Sequence, residues 1–130
     1  MEENFKVEII SPEKIKFSEN SSSVTFPSYE GDMSVLRDHI SIITFLRPGI
    51  IKVENNNNIE NFFVQDGTIE FFNNHLTVLS SSVINIKELT KSDVNRMNKE
   101  TEEKLQNNEI NDQDRYILNH QLETLKEISI

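Results

Sequence analysis

The chain has 130 residues, is 35% hydrophobic, lacks cysteine and carries a formal charge of −9. That length suits one ordinary domain, or a small domain with an appendage. The acidity argues against a nucleic-acid surface, which needs clustered Lys and Arg, and the missing cysteines exclude disulfides, thiolate zinc sites and cysteine nucleophiles.

The opening MEENFKVEII is acidic and enters a strand pattern at once, without the basic start or apolar run of a signal peptide. No stretch approaches the roughly 18 apolar residues that a membrane-spanning helix needs, so a soluble chain is expected. Phe5, Val7 and Ile9 alternate with Lys6 and Glu8, as in a half-buried strand. Val24 and Phe26 share the next such face. The stretch EGDMSVLRDH, Glu30–His39, then reads as a polar loop between two strands, with Met33, Val35 and Leu36 tucked inward. Arg47-Pro48-Gly49 is a turn, and Asn55–Asn58 closes a hairpin between GIIKV and NFFVQ. Asp66-Gly67 and Asn73-Asn74 are further turns, flanking a strand with Ile69 and Phe71 on one face. Leu76 pairs with Val78 on the following strand, and Val83 joins a neighbour. Many short strands closely spaced by turns predict an antiparallel sandwich or barrel over residues 1–86.

From Lys87 the period changes. Val94, Met97, Thr101 and Leu105 form one helical stripe, and Thr90 with Asp93 resembles a capping box. Asn107–Asp112 breaks the pattern, and Asp112 can cap a second helix carrying Leu118, Leu122 and Leu125, flanked by Ile117 and Ile128. Residues 87–130 are therefore expected to form an αα-hairpin, with Glu100 and Lys104 as an i,i+4 pair. Helices of four or five turns are marginal alone and must pack on something.

Nothing in the sequence assembles a reaction centre. His39, His75 and His120 lie in different elements, and none has a second ligand at metal spacing. Asp38 and His39 are adjacent, and Asp32 would meet Asp38 only in an unusual loop geometry. Three glycines leave no phosphate-cradling loop, and no nucleophile elbow is present. For Glu30–His39 two readings stand: an ordinary surface loop, or a protein contact with acids at its tip.

The order of motifs is more specific than any one of them. IISPEKIKFSE is followed by VTFPSYEGDMSVLRDHISIITFLRPGIIKV, then FFVQDGTIEFFNNHLTVLSSSV, then the helical pattern. This series closely resembles the epsilon subunit family of bacterial F-type ATP synthases, whose mitochondrial equivalent is called delta. The likeness covers essentially the whole chain. It is most specific in E-G-x-(apolar)-x-(apolar)-x-x-x-H, with Arg-Pro-Gly eight residues beyond.

The resemblance implies an N-terminal antiparallel β-sandwich, a C-terminal α-helical hairpin and a non-catalytic rotor role. It implies that the sandwich binds the gamma subunit and that one end rests on the c-ring. Glu30, Gly31, Asp32 and His39 would then be c-ring contacts, where charge complementarity sets register more than affinity. The chain departs from the family's pattern at Ser34, usually Gly, and at Arg37-Asp38, usually Pro-Gly. A local Arg37–Asp38 ion pair is one outcome. The hairpin inhibits ATP hydrolysis in many members, reaching the alpha and beta subunits, and some members bind ATP there through I-D-x-x-R-A. In NDQDRY, Asp112 and Arg115 keep that motif's spacing, while Asn111 and Tyr116 depart from it. The plainer alternative is a helix cap with an i,i+3 ion pair. Relatives' hairpins are alanine-rich, whereas this chain has no alanine, so its helices are expected to stand farther apart.

No cofactor is required on this reading, and membrane association comes only through other subunits, on the cytoplasmic side of a bacterial inner membrane. Two other readings remain: a non-catalytic adaptor of the same shape with an unrelated partner, and a nucleotide-sensing regulator.

Overall fold

A computed structural model describes residues 4–128. The strands are β1 Phe5–Ile10, β2 Ile15–Ser21, β3 Ser23–Ser28, β4 Gly31–Leu36, β5 Ile42–Phe45, β6 Gly49–Asn55, β7 Asn58–Val64, β8 Thr68–Phe72, β9 His75–Leu79 and β10 Val83–Asn85. A 3-10 turn at Ile86–Glu88 leads into the helices α1 Lys91–Leu105 and α2 Asp112–Glu127. The first sheet has the order β2-β1-β9-β8-β5 and the second β10-β7-β6-β3-β4. Every strand pair is antiparallel except β1 with β9, which run parallel. The expected sandwich and hairpin are both present; the outermost residues of the expected spans, 1–3 and 129–130, lie outside the described residues.

The alternation predicted from sequence decides what fills the sandwich. Phe5, Val7 and Ile9 from β1, Ile69 and Phe71 from β8, and Leu76 and Val78 from β9 face the second sheet's Val24, Phe26, Ile51, Val53, Phe62 and Val64. Each is nearly or wholly shut off from water. A buried apolar side chain of this size contributes about 1.5–3 kcal/mol, so this cluster dominates the fold's stability. Edge-to-face contacts of Phe5 with Phe71 and of Phe17 with Phe62 add directional packing.

The turns follow the expected chemistry. Asn73 and Asn74 both take positive φ, as a two-residue hairpin turn requires, and Asn56 does so in the β6–β7 turn. Gly67, at φ +141°, crosses from one sheet to the other.

The expected loop at Glu30–His39 is overturned. Six of its residues form β4, an edge strand paired with β3 from Ser28↔Gly31 to Ser23↔Leu36. Period two explains the change: Met33 and Val35 turn inward, which sends Leu36 outward, where it is 58% exposed.

The hairpin packs on the outside of the second sheet. Phe63 of β7 meets Leu89, Val94, Met97 and Leu125, with Ile50, Ile84, Ile86 and Ile128 around them. Thr90 and Asp93 make the predicted capping box. The second helix is capped one residue earlier than expected: Asn111, not Asp112, accepts the Asp114 N–H at 2.7 Å. The Glu100–Lys104 pair gives way to Arg96, which lies 3.5 Å from Glu100 and 3.7 Å from Asp93. Between the helices Gln121 donates to buried Thr101 Oγ1 at 2.9 Å, while buried Thr124 borders Gly49 and Ile50 of β6.

Candidate docking surface

Because the hairpin covers the second sheet, the first sheet's outer face is left open. Alternation puts Lys6, Glu8 and Ile10 of β1 on that face, with Thr68, Glu70 and Phe72 of β8. The strand β9 adds His75, Thr77 and Leu79, and β5 adds Ile43 and Phe45. Register aligns them into rows. Ile10 lies opposite Leu79, Leu79 opposite Thr68, and Thr68 opposite Phe45, giving a nearly apolar band across four strands. The middle row reads Glu8, Thr77, Glu70 and Ile43.

This face is unusually apolar for a surface. Ile43 is 75% exposed, Phe45 and Phe72 64%, and Leu79 51%. At its end a hollow of about 620 Å³ opens between Ile10, Pro12, Phe45 and Leu79. Its floor is held by Asp66, which accepts hydrogen bonds from the Ser80 and Ser81 hydroxyls and from the Ser81 N–H. Polar groups rim the rest: His75 and Glu8 meet at 2.8 Å across β1 and β9. An exposed apolar band of this extent, beside charged and polar rows, marks a surface suited to docking another protein.

The expected contact residues are divided between the two ends of β4. Glu30 sits in the Tyr29-Glu30 turn, closed by Ser28 Oγ donating to the Gly31 carbonyl at 2.6 Å. Gly31 and Asp32 begin β4 beside it. His39 lies past the other end of the strand, a length of about 20 Å at ordinary strand rise. It is half-buried, its ring edge-on to Phe71, with Nδ1 2.7 Å from the Ile40 carbonyl. Beside it Arg37 donates to the Asn4 carbonyl at 2.7 Å and lies 4.0 Å from Asp38, so the local ion pair is present at its longest range.

The acidic end also touches the hairpin. Arg47, mostly buried, donates to the Ser28 carbonyl at 3.0 Å, reaches Asp32 at 3.4 Å and lies 3.4 Å from His120 Nδ1. Tyr29 stacks on Tyr116 of α2, and Tyr116 in turn meets the His120 ring edge-on. Glu30 and Asp32 are thus both exposed carboxylates at this end, with Asp32 also reached by Arg47.

Asp112 and Arg115 are exposed on the first turns of α2, and no ion pair joins them among the described residues. The same D-x-x-R spacing occurs at Asp93 and Arg96, which sequence reasoning passed over. There the two side chains do meet, and the N–H and hydroxyl of Thr90, with Arg96 beyond, hold the Asp93 carboxyl below its ordinary range. Among the described residues no three His, Asp or Glu side chains gather as a metal site. The open face of the first sheet was also missed. Period two alone cannot tell which sheet a helix will cover, but the outward run Ile43, Phe45, Phe72 and Leu79 was a readable signal.

Comparisons with known proteins agree with this architecture. The family described as ATP synthase, Delta/Epsilon chain, beta-sandwich domain matches residues 4–86. A protein named ATP synthase epsilon chain from Pelagibacter ubique is 43% identical over 99% of this chain and 100% of its own length. One of the same name from Polynucleobacter necessarius is 33% identical over 78% of this chain and 75% of its own. Among solved structures, a chain in the Euglena gracilis mitochondrial ATP synthase, OSCP/F1/c-ring, superposes with a TM-score of 0.77 at 18% identity. It covers 95% of this chain and 79% of that one, and shares the fold. A chain of the Tetrahymena thermophila mitochondrial ATP synthase central stalk/c-ring does so with a TM-score of 0.61 at 16% identity, covering 95% and 92%.

Proposed function

The chain belongs to the ATP synthase delta/epsilon family, and from that membership we propose that it is a non-catalytic rotor subunit of the central stalk. On this reading the sandwich docks on the gamma subunit through the open face of the first sheet. The turn bearing Glu30, Gly31 and Asp32 meets the c-ring, and the assembly couples ion translocation to ATP synthesis. The observation that carries the proposal is the asymmetry of the sandwich: one outer face is sealed by the chain's own hairpin, the other presents Ile43, Phe45, Phe72 and Leu79 to water. His39 is left out of the c-ring contact, because β4 separates it from Glu30.

No helix among the described residues is long and apolar enough to cross a membrane. The position proposed with this role is peripheral, on the cytoplasmic side of a bacterial inner membrane, held by the other subunits. The role needs no cofactor. ATP binding at Asp112 and Arg115 is a narrower proposal, and loss of ATP binding in Arg115→Ala but not in Asp114→Asn would support it.

The test is to mix the purified chain with a gamma-containing catalytic complex stripped of its epsilon subunit, and to measure binding and ATP hydrolysis together. Tight one-to-one binding is expected. Hydrolysis that falls on binding, and recovers when residues 87–130 are deleted, would make the hairpin an inhibitor. An absence of binding at micromolar concentration would sink the rotor reading and favour an adaptor with an unrelated partner.

A further inference from the structure

The sandwich has four edges, and one of them is the least protected. Unpaired strand edges invite pairing with other chains, and proteins blunt them with charges, prolines, bulges or brevity. The β2 edge carries Lys16 and Glu19 and sits beside an irregularity at Ile9/Ile10. The β4 edge carries Asp32 and ends at Arg37-Asp38. The β10 edge is three residues long and presents no large exposed apolar side chain. The β5 edge is also short, at four residues, but it has neither a charged residue nor a proline from Ile40 to Leu46, and Ile40, Ile43 and Phe45 are all exposed.

The hydrogen-bond register shows which backbone groups are free there. Leu46 donates to the Gly67 carbonyl at 2.8 Å, so its backbone turns toward β8. Antiparallel ladders alternate, so Thr44 and Ile42 also turn toward β8, while Ile43 and Phe45 turn their N–H and C=O groups outward. These are the same two residues whose side chains stand on the open face.

We propose that the β5 edge receives an added strand from the rotor partner, making main-chain hydrogen bonds to Ile43 and Phe45 and extending the first sheet by one strand. The inference rests on the rotor reading above and specifies how that face is engaged. Strand addition supplies affinity through the main chain and specificity through alternate side chains. Exposed carboxylates stand nearby at Asp38, Asp66 and Glu70, while Arg37 is turned to the Asn4 carbonyl. The occupant is therefore an extended segment with apolar residues at alternate positions and Lys or Arg at its flanks. A second copy of this chain fits poorly, since each copy carries a charge of −9 and would repel the other.

The test uses the full chain and the gamma-containing complex stripped of epsilon. Amide exchange is started in the complex, quenched and read residue by residue, with the free chain as reference. Strand addition predicts that the Ile43 and Phe45 amides exchange fast in the free chain and at least tenfold more slowly in the complex. Ile43→Pro removes an outward N–H without breaking the β8 ladder, and should weaken binding at least tenfold, while Ile43→Val stays within about threefold. If the complex forms but both amides stay fast and Ile43→Pro binds normally, strand addition is overturned and the rotor reading survives. If no complex forms, both fail. Should Ile43→Pro not fold, the exchange measurement on the unsubstituted chain still decides.

Discussion

Gly67 and Gly31 both take positive φ, yet the chain should tolerate their replacement very differently. A Cβ at Gly31 would meet nothing within 4 Å, so Gly31→Ala suffers only the backbone conformation. That costs on the order of 1 kcal/mol. At Gly67 the same atom would stand 2.5 Å from the Leu79 carbonyl oxygen and 3.2 Å from Leu46 Cδ1. Backbone cannot yield as a flexible side chain can, so Gly67→Ala should lower the unfolding free energy by about 2 kcal/mol or more. Urea denaturation of the two variants side by side isolates crowding from strain; equal losses would refute the distinction.

Asp93 is the residue whose charge bears on the start of the hairpin. Its carboxylate accepts from the Thr90 N–H, while Thr90 Oγ1 accepts from the Asp93 N–H. Those bonds, then Arg96, depress its pKa in the folded state below the unfolded value. A depressed acid contributes stability that is fully present above its unfolded pKa and is lost as pH falls through the folded one. Helicity measured by circular dichroism should therefore decline below about pH 4, near the unfolded Asp value. Asp93→Asn should already be weakened at neutral pH and show a shallower acid limb. An unchanged acid limb would mean that other carboxylates carry the dependence.

At the scale of elements, the hairpin depends on a few apolar contacts rather than on its own helices. Leu125, 1% exposed, sits in the cluster around Phe63 that joins α2 to the second sheet. Leu125→Ala should remove about 2–5 kcal/mol, the range for buried leucines, and should loosen the hairpin while the sandwich core stays intact. Exchange protection lost across residues 91–127 but kept in β1, β8 and β9 is the expected pattern; uniform loss would mean that hairpin and sandwich unfold as one unit.

Much of this was legible beforehand. The stripe Val94, Met97, Thr101 and the alternation in β1, β8 and β9 are periodic signals strong enough to give the sandwich and the hairpin. The turn asparagines carry their own φ preference. The docking geometry was not legible, because helix period reports that a face is buried and not what buries it. In β4, Met33 and Val35 did alternate with Asp32, Ser34 and Leu36, but the acids and glycine around them read as a loop. An edge strand with one wet face looks much the same in composition.

For the whole molecule, the two outer faces of the sandwich pose the same physical problem and reach different answers. The second sheet covers Phe63 and Ile50 with the chain's own helices. The first sheet leaves Phe45 and Leu79 on a common band with nothing of the described residues over them. Exposed side chains contribute little to folding, so Phe45→Glu with Leu79→Glu should change the unfolding free energy by less than about 1 kcal/mol. Interface energetics concentrate in a few central apolar residues, and carboxylates placed there would be desolvated without a partner. The double variant should then bind the epsilon-stripped catalytic complex at least tenfold more weakly than the parent chain. The control is Glu30→Gln, in the Tyr29-Glu30 turn, which should leave affinity for a complex lacking the c-ring unchanged. Should the double variant bind as well as the parent while Glu30→Gln binds poorly, docking would run through the acidic end, and the open sheet face would need another partner.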